Sequence, residues 1–281
     1  MQSIGIRLLN ATFPTTFPQL RWTPTVLGNA LAAWIDMSAG VTQTGNRISQ
    51  VIDQSPNHLV LSQVTSGFQP LYVASAQNGR PGLQNDSTTA IRGVQAPAND
   101  GKTMFGKSVP FSFAVAFIYG ASAGVNGKMT FGSMSFTGAP RGWSLETGNN
   151  TWNLNLGRRV SFVMPFSGNS TCLGVSATTT PLVVGNKYIV VCTYDGSATP
   201  GGITLSINGV NQALQTSFNT LGANDFTINT QQLYVGGVNN AANTNSLSDD
   251  TILEAFVSTS KLDSATVNLA AQYFNARYAI Y

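Results

Sequence analysis

Residues 188–209 read Tyr-Ile-Val-Val-Cys-Thr-Tyr-Asp-Gly-Ser-Ala-Thr-Pro-Gly-Gly-Ile-Thr-Leu-Ser-Ile-Asn-Gly. The run from Tyr188 to Thr193 is β-branched and aromatic, and it ends in Tyr194-Asp195-Gly196. A second run from Ile203 to Ile207 ends in Asn208-Gly209. Asp-Gly and Asn-Gly supply residues that tolerate the positive φ angles of tight connections, so the stretch predicts strand, turn, strand and turn. Tyr188, Val190, Cys192 and Tyr194 alternate, which places Cys192 on one face of a strand.

The same two-residue period recurs outward from this meander. Phe111, Phe113, Val115, Phe117 and Tyr119 fall on one face and Ser112, Ala114 and Ala116 on the other, which predicts a strand with one bulky, core-directed side. Gly142–Glu146, Trp152–Leu156, Val160–Met164, Leu233–Gly236 and Ile252–Val257 read as further strands, separated by clusters of Gly, Asn, Ser and Thr. The polar stretch Asn239–Asp250 reads as a surface loop. Only the last segment changes period: Asp263 can cap a helix in which Val267, Ala270, Ala271, Phe274 and Tyr278 share a face. At the other end Phe13-Pro14, Phe17-Pro18 and Thr23-Pro24 block helix and central strand alike. Residues 1–28 therefore read as an extended arm and residues 29–281 as a sandwich. The expected fold is all-β: a two-sheet jelly-roll sandwich with an N-terminal arm and a short C-terminal helix.

With 281 residues the chain can bury a large core as one domain. Only 9% of its residues are charged, so amides and hydroxyls must keep its surface polar. The net charge of +3 comes from scattered residues with no basic run, which argues against nucleic-acid binding. No stretch is long enough to insert in a membrane as a helix, and Met1–Ala11 is too interrupted for the apolar centre of an export signal. Cys172 and Cys192 have no short spacing and read as buried free thiols, with a structural disulfide as the less favoured alternative.

With these elements placed, the chain resembles the laminin G-like, concanavalin A-like jelly rolls of bacterial surface proteins and bacteriophage structural proteins. Trp34-x-Asp36-x-Ser38 is similar to the opening motif of that family. Arg47-Ile48-Ser49-Gln50, Asp53-Gln54-Ser55 and Asn57-His58 follow in the family's order, then Gln69-Pro70 and Asn78-Gly79-Arg80-Pro81. Tyr194-Asp195-Gly196 and Asn208-Gly209 match its central hairpin. Gly236-Gly237, Ile252 with Glu254, and the helix ending in Arg277-Tyr278-Ala279-Ile280 match its close. The likeness runs from about Ala30 to Tyr281. The sequence departs from the pattern at Asn85-Asp86-Ser87, where the family has Phe-Asp-Gly, and at Val51, where it has Trp.

The chemistry of the residues narrows the function. Glycosidases pair two nearby carboxylates, yet the two glutamates, Glu146 and Glu254, are far apart in sequence, and Asp249-Asp250 read as turn-capping or solvated. The single histidine, His58, leaves no two-histidine metal site and reads as a turn residue. No enzyme is expected. No cofactor is expected either. If an ion binds it is calcium, with Asp36, Asp53 and Asp195 as candidate ligands. Trp22, Trp143 and Trp152 are candidates for stacking on a sugar, against the commoner fate of burial. Phe13, Phe17 and Trp22 stand on an arm with no core of its own, which makes them the candidate partner-docking residues.

The resemblance then implies a structural component of a bacteriophage virion, a capsid decoration, head fibre or tail-associated protein, with a lectin-like face for glycans or the host surface. Its expected partners are other virion proteins, copies of itself and surface glycans, with no nucleic acid and no membrane insertion. Its expected location is the virion, assembled in the host cytoplasm. The alternative is a free-standing cellular lectin.

Overall fold

The structure is a computed structural model, and it describes residues 22–86, 93–121, 128–135, 141–148, 158–165, 172–221, 231–237 and 249–281. Among them are eighteen strands. These are β1 (Leu31–Asp36), β2 (Val41–Thr44), β3 (Arg47–Ile52), β4 (Val60–Ser62), β5 (Leu71–Gln77), β6 (Arg80–Gln84), β7 (Val94–Gln95), β8 (Phe111–Ile118), β9 (Lys128–Ser135), β10 (Arg141–Gly148), β11 (Arg159–Pro165), β12 (Cys172–Ala177), β13 (Lys187–Tyr194), β14 (Ile203–Ile207), β15 (Val210–Asn211), β16 (Leu214–Asn219), β17 (Gln232–Val235) and β18 (Thr251–Ser258). A single α-helix, α1 (Ser264–Tyr278), follows them. The strand expected at Trp152–Leu156, the first twenty-one residues of the arm and most of the Asn239–Asp250 loop lie outside the described residues.

All recorded pairings are antiparallel and resolve into two layers. In the first, β18 pairs with β8 on one side and with β1 and β6 on the other, and the layer continues through β13, β14 and β15. In the second, the order is β7, β17, β9, β10, β11, β12 and β16. β3 pairs with β2, β4 and β5 and so links the layers at one corner, since β4 joins β7 and β5 joins β6. This is the two-sheet jelly-roll sandwich of the concanavalin A type.

Why the layers close on one another is visible in β8. Phe111, Phe113, Val115 and Phe117 enter the core between the sheets, where Phe113 stacks on Trp143 with ring centroids 4.9 Å apart. Ala114 and Ala116 face the other way, into a second apolar cluster under α1 with Ile189, Val191, Phe256 and Phe274. Small side chains on this face let a helix approach the sheet. Tyr188, Val190, Cys192 and Tyr194 all enter the inter-sheet core, as their alternation requires.

The central hairpin is looser than its sequence suggests. Val190–Tyr194 pair with Ile203–Ile207, but the connection takes eight residues, 195–202, and ends in a 3-10 turn at Pro200–Gly202. Asp195 accepts the Ser197 amide instead of making a two-residue turn. The second signal is the tight one. Asn208 (φ 50°) and Gly209 (φ 77°) form a two-residue turn of the mirror-image type between Ile207 and Val210, and Asn208 Oδ1 accepts the Ile189 amide at 2.8 Å.

Helix α1 begins where Asp263 accepts the Thr266 amide at 2.7 Å, and its buried side is Val267, Ala270, Ala271, Tyr273, Phe274 and Tyr278. Its last carbonyls are taken up from the β5–β6 turn. Asn78 Nδ2 donates to Arg277 O at 2.9 Å and Gln77 Nε2 to Tyr278 O at 2.6 Å. No described helix is long and apolar enough to cross a membrane.

The helix-facing side of β8 yields a test. Ala114→Leu overfills the seam between β8 and α1 and is expected to cost about 1–3 kcal/mol. Urea unfolding followed by far-ultraviolet circular dichroism measures it; an unchanged midpoint would mean that the helix is not seated on this face.

Candidate functional site

Three elements converge on one end of the helix-covered face. Trp34 and Asp36 come from β1, Glu254 from β18, and Tyr273, Arg277 and Tyr278 from α1. Glu254 is fully buried. Its Oε1 accepts the Trp34 indole N–H at 2.6 Å and the Tyr273 hydroxyl at 2.7 Å, and its Oε2 accepts the Tyr278 hydroxyl at 2.8 Å. Arg277 Nε lies 3.0 Å from Oε2, close enough for an ion pair although not aligned as a hydrogen bond. Arg277 Nη2 donates to Asp36 Oδ2 at 2.7 Å, while Asp36 Oδ1 accepts the Ser38 amide.

The electrostatics follow from that enclosure. Burial, and then the charge of Asp36, push the Glu254 carboxyl up to about 7, with Arg277 and the Tyr273 and Trp34 donors pulling the other way. Burial works against the Arg277 charge, but Glu254 and Asp36 together raise its pKa above its ordinary value.

Aromatic surface frames the cluster. Trp22 packs on Phe256 and edge-on against Tyr273, with ring centroids 5.8 Å away in both cases. Trp34 stands directly opposite Phe256 on the neighbouring strand, so both side chains share the helix-covered side of the sheet. Trp22 and Trp34 are each only half-buried, and the Arg277 guanidinium sits 5.4 Å from the centre of the Tyr273 ring. The result is two partly exposed indoles beside a buried carboxylate and arginine. Pro24, just after Trp22, starts a 3-10 turn (Pro24–Ala30) that leads directly into β1.

Of the three residues expected to dock a partner, Trp22 thus rests on the chain's own sandwich, and Phe13 and Phe17 lie outside the described residues. Trp143 is core, its indole N–H donating to Thr103 O at 3.0 Å, and Trp152 lies outside the described residues. The candidate calcium ligands do not come together. Asp53 is buried and saturated by donors: Oδ1 accepts the Trp34 and Ser55 amides, and Oδ2 the Ser55 hydroxyl and the Leu59 amide. Asp36 is engaged by Arg277. Asp195 accepts the Ser197 amide with Lys261 3.7 Å away, and the Ser197 hydrogen bond lowers its pKa. Among the described residues no three His, Cys, Asp or Glu side chains gather as a metal site.

The remaining chemistry-bearing residues also have structural posts. His58 is exposed at φ 49°, closing the Ser55–His58 turn through its amide. Asp250 is not a loop residue in solvent: it is buried, and accepts the Gly120 amide and the Thr130 and Thr147 hydroxyls at 2.8–2.9 Å. Asp86, at the corner where the sequence leaves the family pattern, takes a two-pronged pair from Arg47 at 2.5 and 2.7 Å. Val51 is packed in the core. Cys172 and Cys192 are buried free thiols, with burial pushing Cys172 up to about 11. Glu146 faces away from the core on the second sheet, opposite Ser161, whereas Glu254 faces outward on the first. Sheets pack about 10 Å apart, so these carboxylates exceed the roughly 5–9.5 Å of a glycosidase pair.

Neither a family model nor a curated protein sequence matches this chain. Solved structures do. Trypanosoma rangeli sialidase in complex with sialic acid is 14% identical with a TM-score of 0.54, covering 88% of this chain and 33% of that one. The binding domain of botulinum neurotoxin serotype G is 13% identical with a TM-score of 0.55, covering 88% and 51%. The serotype D binding domain is 11% identical with a TM-score of 0.51, covering 86% and 50%. The chain therefore spans between a third and about half the length of these structures. At such identities the shared property is the β-sandwich fold.

Two predictions test the cluster. Glu254 carries a folded-state pKa above its unfolded value of 4.5, so its contribution to stability is complete below about pH 4.5 and is lost as pH rises through about 7. The difference in unfolding free energy between wild type and Glu254→Gln should follow that slope; a flat difference would remove the ionisation from the account. Arg277→Met strands the carboxylates and should cost about 3–5 kcal/mol at neutral pH, with part of the loss recovered on acidification as Glu254 protonates. Equal losses at both pH values would show that packing, not charge, is what Arg277 supplies.

Proposed function

We propose that the chain is a carbohydrate-binding module of a bacteriophage particle. The observation that carries the binding reading is the pair of half-buried indoles, Trp22 and Trp34, set beside Tyr273 and the Asp36–Arg277 pair. A pyranose presents one apolar C–H face and a rim of hydroxyls. An indole takes the face, and a carboxylate–guanidinium pair takes the rim. The similar folds agree in kind, since two of them are binding domains and a third is a sialidase holding sialic acid. Glu146 and Glu254 stand on opposite sheets, and Glu254, the carboxylate beside Asp36, is fully buried, so binding without turnover is the reading we adopt.

The virion setting rests on different ground: the motifs from Trp34-x-Asp36-x-Ser38 to Arg277-Tyr278 that resemble phage jelly rolls, and a surface with few charges, suited to close packing among neighbours. In that setting residues 1–28 anchor the module to its particle and the sandwich faces outward. Copies of the chain associate through the same uncharged surface.

A glycan array followed by isothermal titration tests the binding. Trp22→Ala, which removes one wall of the platform and leaves the Glu254 cluster in place, is expected to weaken any glycan detected by about tenfold or more while shifting the melting point only slightly. Unaltered affinity would take the site away from this patch. For the particle role, a variant lacking residues 1–21, which keeps Trp22 on the sandwich, is expected to fold and to be missing from purified virions by cryo-electron microscopy. Its incorporation at normal copy number, or a chain found only as a free sugar-binding species, would favour the free-standing lectin instead.

A further inference from the structure

We infer that the Trp22–Trp34 platform selects neutral sugars and turns away acidic ones. The inference rests on the carbohydrate-binding reading of this patch and concerns its substrate class.

An acidic sugar needs a cation or a set of unengaged N–H donors to replace the water lost by its carboxylate. Among the described residues, the cation that lies against the patch's aromatic rings is Arg277, 5.4 Å from the centre of Tyr273 and 5.8 Å from that of Tyr278. That guanidinium is already shared between two carboxylates, Asp36 at 2.7 Å and Glu254 at 3.0 Å. Above about pH 7, where Glu254 is ionised as well as Asp36, the three groups sum to one negative charge. Three donors of the patch are spent inward: the Trp34 indole N–H and the Tyr273 and Tyr278 hydroxyls all donate to Glu254. What the patch offers outward is aromatic face and the partly exposed edge of Arg277, while Asp36 behind it is buried. A neutral hexose fits both, stacking its C–H face and setting a hydroxyl against the guanidinium edge. A sialylated or uronic sugar brings a further anion to a patch where the cation found among the described residues is already neutralised.

The test titrates the full-length chain calorimetrically with a neutral galactose- or glucose-based oligosaccharide and with the same oligosaccharide bearing terminal sialic acid. Expected is a neutral ligand at least about tenfold tighter than its sialylated form. Asp36→Asn, which releases one of Arg277's two anionic partners, should narrow that ratio. A sialylated ligand equal or superior to the neutral one would overturn the inference and leave the carbohydrate-binding reading standing. A preference that survives Asp36→Asn unchanged would overturn the charge argument, since the selectivity would then come from shape. If neither kind of sugar binds, the carbohydrate-binding reading falls and this inference with it.

Discussion

The outer layer of this protein depends on burying one carboxylate. An ionised carboxyl removed from water costs several kcal/mol unless its lone pairs are met by donors. Glu254 sits in the middle of the apolar strand β18 and is met by Trp34 from one side and by Tyr273, Tyr278 and Arg277 from the other. Satisfying Glu254 therefore fixes β1 beside β18 and lays α1 across both, so residues separated by more than two hundred positions act as one unit. Asp36 extends the constraint, because it orients the second half of the Arg277 guanidinium and ties it to the turn at Ser38.

The same economy recurs where charge is scarce. Asp53 and Asp250 are buried, and each is met by amide and hydroxyl donors. On the second sheet the Ser161, Ser176 and Ser217 hydroxyls pass hydrogen bonds from strand to strand at 2.9 Å. A chain with 9% charged residues thus satisfies its buried polar groups mainly with neutral partners. Asp53 is instructive because its four donors fill the capacity that a calcium ion would need.

Periodicity made the fold legible. The Phe111–Tyr119 alternation, the Asn208-Gly209 turn and the Asp263 cap each encode local geometry within a few residues, and each stands in the structure as its sequence implies. Two local readings failed for physical reasons. Asp195-Gly196 carries the composition of a tight turn, yet Asp195 turns its carboxylate back on the Ser197 amide and the loop runs to Gly202. Asp250 sits in a polar stretch but is drawn inward by two threonines more than a hundred positions away. The candidate site was the least legible part, because its members are spread over residues 22–278 and no spacing rule joins them. The fragments of the resemblance did contain Trp34, Asp36, Glu254, Arg277 and Tyr278, and an isolated Glu inside an apolar strand, with an Arg near the end of the C-terminal helix, was a signal of a buried ion pair.

That origin bears on how the platform can work. Binding is weakened when side chains must be ordered at the moment of contact, at roughly 0.5–1.5 kcal/mol for each rotamer-rich group. Here the ordering is done on folding. The Trp34 ring is pinned through its N–H to Glu254, Tyr273 is pinned through its hydroxyl to the same oxygen, and Trp22 leans on Tyr273. The polar edges of Trp34 and Tyr273 face inward, so on the carbohydrate-binding reading it is their faces that meet a sugar, with Arg277 at the rim. The clamp that seats the helix is then also what holds that aromatic floor still.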